Sequence, residues 1–517
     1  MPQATNMQSE KSEQWNEGST TTVLTELTFE TPMPQPFPPS SLYPSPPPKL
    51  ISPFDWTSRR KIFTTCLSCT VTVVSGYASG SNNAPGPVMG AAWDVSQTLL
   101  TLGTTTYCIG FAIAPMILAP FSEIKGREPV FLFSGLIFFL SQLGCALTDS
   151  FSGLLIARFF AGVGSSTFST MVGGIVADIY RVDERNTAMA IFAGAAFFGT
   201  GLGPLVSGII AFHLQWRWVF YVQAISCGSL TLISAIFFQE TRENVLLSRN
   251  ARALNQWYAK CQTLGMRGLN VDGQLQQVQW SIATKEDSVS LASLLRISLS
   301  RPLRLLVTEP VVFWFSLWIA FAWGVLYLSF GGLPLTFKAA YGFNSQQIGA
   351  VFTSMAVGAL LGATVNIYLE RLRPRLGNPI MSPESRLHFA CLECFMFPTG
   401  LFIWAWTCRE SIHWIVPSIA IAIATIGIYT IFLAVNNYTA DTYHRYASSA
   451  LAAQSLTRNI LGGVFPLATD AMFSSMKIPG ALSFLGGVAL ILSVVPWALL
   501  IYGPRIRARS KIANEIH

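Results

Sequence analysis

From Lys61 onward, apolar runs of about twenty residues follow one another with short polar gaps between them, and twenty is the helix length that crosses the hydrocarbon of a bilayer. Hydrocarbon offers no water to unpaired backbone groups. A chain patterned this way therefore folds as a bundle of spanning helices, each satisfying its own N–H and C=O groups. The runs fall at 62–82, 99–121, 129–148, 153–177, 187–211, 217–238, 310–337, 346–369, 387–407, 412–436, 447–471 and 480–502. They number twelve, split six and six, and the fold class expected is an all-α integral membrane protein with two pseudo-symmetric halves.

Charge decides what else the chain meets. Only 11% of the 517 residues are charged, about half of what a soluble protein carries. The net charge of +7 raises the question of nucleic acid. The bases, however, lie between apolar runs rather than in one patch, so the expected partner is the lipid bilayer and not nucleic acid. Nine cysteines include the pairs Cys66/Cys69 and Cys391/Cys394. Both pairs fall in expected spans without nearby His, which makes them small buried hydrophobes rather than ligands, and no metal or cofactor is expected.

Residues 1–58 are rich in Pro, Ser and Thr and read as a disordered tail. No basic segment with an apolar core opens the chain, so the first span is expected to serve as its own targeting signal. The halves are expected at 59–238 and 310–503, with a linker at 239–309 and a basic C-terminus at 504–517. Within the linker, residues 290–306 mix Leu with Arg as a helix lying flat on a membrane does. If the N-terminus is cytoplasmic, only Arg217, Lys338, Arg409 and Lys477 of the 33 Lys and Arg fall outside, with Arg158 and Arg458 inside spans. That distribution obeys the positive-inside rule and its inverse violates it. Both termini are then cytoplasmic, and the Asn437-Tyr-Thr439 sequon is expected to stay unglycosylated.

Between the second and third runs, Ser122-Glu-Ile-Lys-Gly-Arg-Glu128 packs two acids and two bases into one gap. Such charges mark a membrane surface, and Gly126 permits a tight turn. Glu123 and Arg127 bracket that glycine at a spacing that suits a salt-bridged turn. The halves echo each other: Asp94-Val-Ser-Gln97 leads into a span ending near Glu123 and Arg127, and Phe343-Asn-Ser-Gln346 leads into one ending near Glu370 and Arg371. Such an echo implies a pseudo-twofold axis and a central cavity that opens to either side.

Several stretches together carry a resemblance: Ser122–Arg127, Arg158-Phe-Phe-Ala-Gly-Val-Gly164, Gly199-Thr-Gly-Leu-Gly-Pro-Leu-Val-Ser-Gly208 and Asn437-Tyr-Thr-Ala-Asp-Thr-Tyr443. The chain resembles the major facilitator superfamily, and within it the fungal branch of twelve-helix drug:proton antiporters, over roughly residues 52–512. The resemblance implies a gating latch of Glu123, Gly126 and Arg127 with partners among Asp178, Asp183, Glu184 and Arg185. It ties Arg158 to proton coupling, against the alternative of snorkelling to the outer surface. It makes Gly199, Gly203, Pro204 and Gly208 an antiporter helix motif packing on the eighth span, where Gly358 and Gly362 form a natural opposing face. The sequence departs from the family at Lys125 and Glu128, whose charges are exchanged.

For the proton carrier, the acids in or beside spans are Glu309, Glu393 and Asp470. Glu309 precedes Pro310 as a helix-start feature, and Glu393 is the choice, against a peripheral role. Arg458 lies mid-span and either contacts the cavity or pairs structurally. Tyr107, Phe111, Phe197, Trp323, Tyr327 and Tyr429, with Trp93, are candidate cavity residues, and with few acids available neutral, aromatic or anionic substrates rank above polyamines. The function expected is export of small organic molecules (drug, toxin, secondary metabolite or organic acid) in exchange for protons by alternating access. A monomer in the plasma membrane is expected, with the vacuolar membrane as alternative. Scattered His residues and the lack of a phosphate-binding loop argue against an enzyme, so no catalytic residues are assigned. The alternatives are proton-coupled uptake and a transporter-like receptor.

Overall fold

The computed structural model describes residues 22–31, 35–37, 43–45, 51–181, 184–266, 268–271, 274–281, 291–372, 383–443 and 446–509. The chain divides into two units, one of residues 53–242 and 286–517, the other of residues 1–52 and 243–285.

The larger unit is helical. Its first half holds α1 (Ser58–Gly80), the short α2 (Gly86–Trp93), α3 (Gln97–Lys125), α4 (Arg127–Leu147), α5 (Phe151–Ile179), α6 (Arg185–His213) and α7 (Arg217–Phe237). The smaller unit contributes α8 (Glu243–Thr263). The second half of the larger unit holds α9 (Leu291–Thr308), α10 (Pro310–Tyr341), α11 (Ser345–Val351), α12 (Thr353–Leu372), α13 (Leu387–Glu393), α14 (Met396–Thr407), α15 (Ile415–Tyr443), α16 (Ala447–Leu492) and α17 (Val494–Arg509). Among the described residues, 11 helical stretches are long and apolar enough to cross a membrane; α11 with α12 counts as one, and the last runs through Ala447–Ala508. That last stretch is broken at Lys477, whose φ of 58° and ψ of 167° are not helical. The count stands at 11 against the twelve expected, and the difference lies in this last stretch of 62 residues.

Side-chain caps start several spans. Ser96 Oγ accepts from Leu99 N at 3.3 Å and Ser150 Oγ from Gly153 N at 3.1 Å. Asn344 and Gln347 exchange bonds of 2.9 and 3.0 Å at the head of α11, the reciprocal arrangement that satisfies two orphan donors. Trp93, expected near a cavity, instead packs edge-on against Trp216 at 5.2 Å.

Where its residues are described, the smaller unit corrects the reading of the tail as disordered; residues 1–21 lie outside the described residues. Residues of that tail form β1 (Thr22–Glu26) and β2 (Gln35–Phe37), which join β3 (Gly268–Val271) and β4 (Gln274–Ser281) of the linker in one sheet of order β1-β4-β3-β2. β1 pairs with β4 in parallel, Thr22 opposite Gln277 and Glu26 opposite Ser281. Helix α8 supplies the apolar face, with Leu254, Trp257 and Cys261 buried beside Val278 and Trp280. The Asn255 side chain donates to Trp280 O and accepts from Trp280 N, both at 2.9 Å, tying helix to strand. Neither segment buries enough alone, so composition of the tail by itself reads as disorder.

Candidate functional site

At the end of α3 the chain turns on Gly126, whose φ of 105° and ψ of 158° are essentially restricted to glycine. The turn is pinned by Glu240, just after α7. Its carboxylate accepts backbone N–H bonds from Arg127 (2.9 Å), Glu128 (3.2 Å), Thr241 (3.0 Å) and Arg242 (2.9 Å). A carboxylate at the start of α4 also suits the positive end of that helix. Arg127 is nearly buried and donates through Nε to Asp178 at 3.1 Å and through Nη1 to Ser122 at 2.7 Å. Arg242 lies 3.5 Å from the other Asp178 oxygen. The expected Glu123–Arg127 bridge does not form: Arg127 turns to Asp178, and Glu123 accepts from Ser448 of the second half at 3.4 Å.

A Cβ at residue 126 would lie 2.1 Å from Glu240 Oε2. Gly126→Ala therefore combines backbone strain of about 1–3 kcal/mol with displacement of the carboxylate. The purified variant should unfold at a lower temperature than wild type, and an equal midpoint would remove Glu240 from this role.

Arg185 does not join Asp178. It points to the second half, 3.9 Å from Asp441 Oδ1, while Arg386 donates to Asp441 Oδ2 at 2.8 Å and to Asn186 of the first half at 2.8 Å. Four residues thus tie α6 to α15. Glu184 lies 3.7 Å from Lys61, and Asp183 falls outside the described residues.

Between the halves lies a cavity of about 620 Å³. At one end its walls carry Glu123, Arg127, Asp178, Arg185, Arg242 and Asp441; Arg458 and Phe432 stand deeper. At the opposite end of the bundle the halves touch. Thr98 donates to Asp470 at 3.1 Å and Thr105 to Gly463 O at 2.8 Å, and a Cβ at Gly208 would meet Ser345 O at 2.7 Å.

Of the expected cavity residues, Arg458 lines this space, whereas Tyr107, Phe111, Phe197, Trp323, Tyr327 and Tyr429 are not among its walls. They are packed core: Phe197 meets Trp323 edge-on at 5.4 Å and Tyr429 at 6.0 Å, and the Tyr429 hydroxyl donates to Ala190 O at 3.1 Å. Aromatic side chains bury most surface when they meet each other, and their positions in sequence do not separate a packed ring from a cavity wall. Phe192 and Phe432 line the cavity instead.

Arg158 is fully buried, which removes the snorkelling alternative. Its Nε donates to Gly103 O at 3.2 Å and its Nη1 to Ala78 O at 3.1 Å, with the guanidinium 4.7 Å over the Tyr107 ring. It clamps α1, α3 and α5 through carbonyls. Glu393, on α13 of the other half, is not brought near it. Glu393 Oε2 accepts from Thr430 at 2.7 Å, and its Oε1 is buried with no hydrogen-bond partner among the described residues.

The glycine stretch of α6 packs differently from expectation. Gly199 and Gly203 face α1, where added Cβ atoms would meet Val73 O at 2.2 Å and Tyr77 O at 2.5 Å; Gly208 and Gly201 face the eighth span. Gly358 and Gly362 are turned away, toward Ala422 and Tyr429 of α15. Pro204 lies against α1 as well, its Cδ 2.9 Å from where a Cβ on Gly80 would stand. Sequence reading missed Glu240, Arg386 and Asn186. Glu240 had a signal, being a rare acid directly after an apolar run.

Comparison with known proteins adds the following. The family model of the Major Facilitator Superfamily matches residues 68–467. A probable drug/proton antiporter of Saccharomyces cerevisiae, YHK8, is 30% identical over 460 residues, 88% of this chain and 86% of that one. The major facilitator superfamily multidrug transporter mdrA of Aspergillus fumigatus is 32% identical over 90% of this chain and 74% of its own. Among solved structures, the proton:xylose symporter XylE of E. coli superposes with a TM-score of 0.60 at 14% identity, over 86% of this chain and 97% of that one.

Proposed function

The chain belongs to the Major Facilitator Superfamily, and from that premise we propose that it exports small organic molecules in exchange for protons by alternating access. The observation that carries the reading is the cavity of about 620 Å³ between the halves. It reaches the Arg127 end, while the other end is sealed by Thr98–Asp470, Thr105–Gly463 and Gly208–Ser345. The base count supports a cytoplasmic Arg127 end with both termini on the same side, and the membrane of this reading is the plasma membrane, with the vacuolar membrane as the alternative. In that orientation this is the form that loads substrate from inside. Release then requires the Arg127 end to close around the Asp441–Arg386–Asn186 contact, which already joins the halves in this form, and the Thr98–Asp470 and Thr105–Gly463 contacts to part. Names such as drug/proton antiporter and multidrug transporter among the relatives support export over uptake. In this reading a monomer suffices, since one chain carries the whole cavity.

The test is purified protein in liposomes under an imposed pH gradient, offered a pooled metabolite extract. Gradient-driven accumulation of particular compounds is expected, and equilibration of every hit regardless of the gradient would sink the antiport reading. Glu393 is the proton carrier in this reading, because one of its oxygens is buried without a partner. Glu393→Gln should abolish gradient-driven accumulation but leave gradient-free exchange of labelled substrate intact. Accumulation at the wild-type rate would remove Glu393 from that role.

A further inference from the structure

Arg458, on α16, is 5% exposed, yet it lines the cavity. Its guanidinium carbon stands 4.4 Å over the Trp323 ring and 5.1 Å over that of Phe432. Its Nε is buried without a hydrogen-bond partner, and Arg458 makes no ion pair among the described residues. A buried cation with only ring faces for company is costly to hold, since cation–π contacts offset only part of the lost hydration. Arg158 is buried too, but it spends its donors on two backbone carbonyls and stands outside the cavity. The acids in the cavity wall offer Arg458 nothing. Asp178 is held by Arg127 and Arg242, Asp441 by Arg185 and Arg386, and Glu123 stands at the far end beside Ser448. Close to Arg458 the wall is apolar at Phe432 and Ile319 and polar but uncharged at Gln454 and Ser455.

We propose that the transported compound is an amphiphilic monoanion, a carboxylate on an apolar or aromatic body, and that Arg458 receives its acidic group at the deep end of the cavity. The proposal rests on the transport reading above and narrows it to one substrate class. A guanidinium presents its donors in a planar fork matched to a carboxylate, and Phe432 and Ile319, which line the cavity, offer the apolar surface. A cationic substrate would bring a second positive charge against an uncompensated one, and a neutral substrate would leave the cation as costly as before.

The test uses full-length protein in detergent and matched triplets in which one carbon skeleton carries an acid, an alcohol or an amine, for instance indole-3-acetate, tryptophol and tryptamine, with aliphatic and benzoid sets beside them. Binding is read from ligand-induced thermal shifts and competition. In wild type, acids should outbind their alcohol and amine counterparts by about tenfold or more, the scale of one charge-assisted hydrogen bond. Arg458→Gln should weaken acids far more than alcohols, bringing the ratio of acid to alcohol affinity to about one, whereas a merely structural role would weaken both alike. Arg458→Lys, which keeps the charge and covers the case of a misfolded Gln variant, should retain the preference in part. A wild type in which no acid outbinds its partners, or an Arg458→Gln that keeps the ranking, overturns the proposal. The same compounds in proteoliposomes separate the two readings. An acid that binds through Arg458 but ignores the pH gradient removes antiport and leaves the anion site; gradient-driven amine flux without acid preference does the reverse.

Discussion

Arg127→Ala should bring transport to background while the chain still inserts into the membrane. Arg127 and Asp178 form an ion pair whose side chains are 7% and 12% exposed. Removing one partner of a buried pair costs about 3–5 kcal/mol, because the other charge is left without compensation. Arg242, 3.5 Å from Asp178, holds the loss toward the lower end, so the fold survives. The linkage of α3, α4 and α5 at the cavity mouth does not. Exchanging Lys125 with Glu128 should be far milder, because Glu240 engages the backbone N–H at residue 128 and not its side chain. Flux in proteoliposomes, with size-exclusion profiles as the control for folding, separates the two variants. Equal behaviour would make the turn an anchor and nothing more.

The second large effect is expected at Gly199→Val. A Cβ there would stand 2.2 Å from the carbonyl oxygen of Val73 and 2.9 Å from its carbon. These are backbone atoms of a neighbouring helix, so no side chain can turn aside. α1 and α6 must separate, and with them the close packing that small residues allow. Overpacking costs about 1–3 kcal/mol where side chains yield and more where backbone must move, so the monodisperse yield and the unfolding midpoint should both fall sharply. Gly487→Ala, whose Cβ would meet no atom within 4 Å, should leave both near wild type. A Gly199→Val protein with the wild-type midpoint would show that the two helices are not in close contact.

The spans were legible because hydrocarbon selects them by composition. Runs expected at 153–177 and 187–211 appear as Phe151–Ile179 and Arg185–His213. α15 extends beyond its apolar run to Tyr443, and that polar extension carries Asp441 to Arg386. The Arg127–Asp178 pair was legible since charges are scarce in this chain and few partners were available. Arg185, expected among the partners of the turn, lies against Asp441 of the other half, and nothing local in sequence points to a partner so far along the chain. The aromatic residues were misread for a different reason. A Tyr or Trp in an apolar run has the same neighbours in sequence whether it packs or lines a cavity. Likewise the strands of the tail depend on a partner far along the chain, which window-based reading does not see.

That pairing has a consequence for how the protein is made. Thr22–Glu26 leaves the ribosome early, but Gln274–Ser281, the strand it pairs with, follows only after the whole first set of six spans. At roughly 5–20 residues per second the wait is on the order of tens of seconds, far longer than a hairpin needs to close. Throughout that interval β1 is without its partner strand, and any other strand is a competitor. A strand of only five residues, ending in Glu26 and followed by proline-rich chain, is poorly suited to pairing with strangers. The composition that makes the tail read as disordered thus also keeps it available for its one late partner.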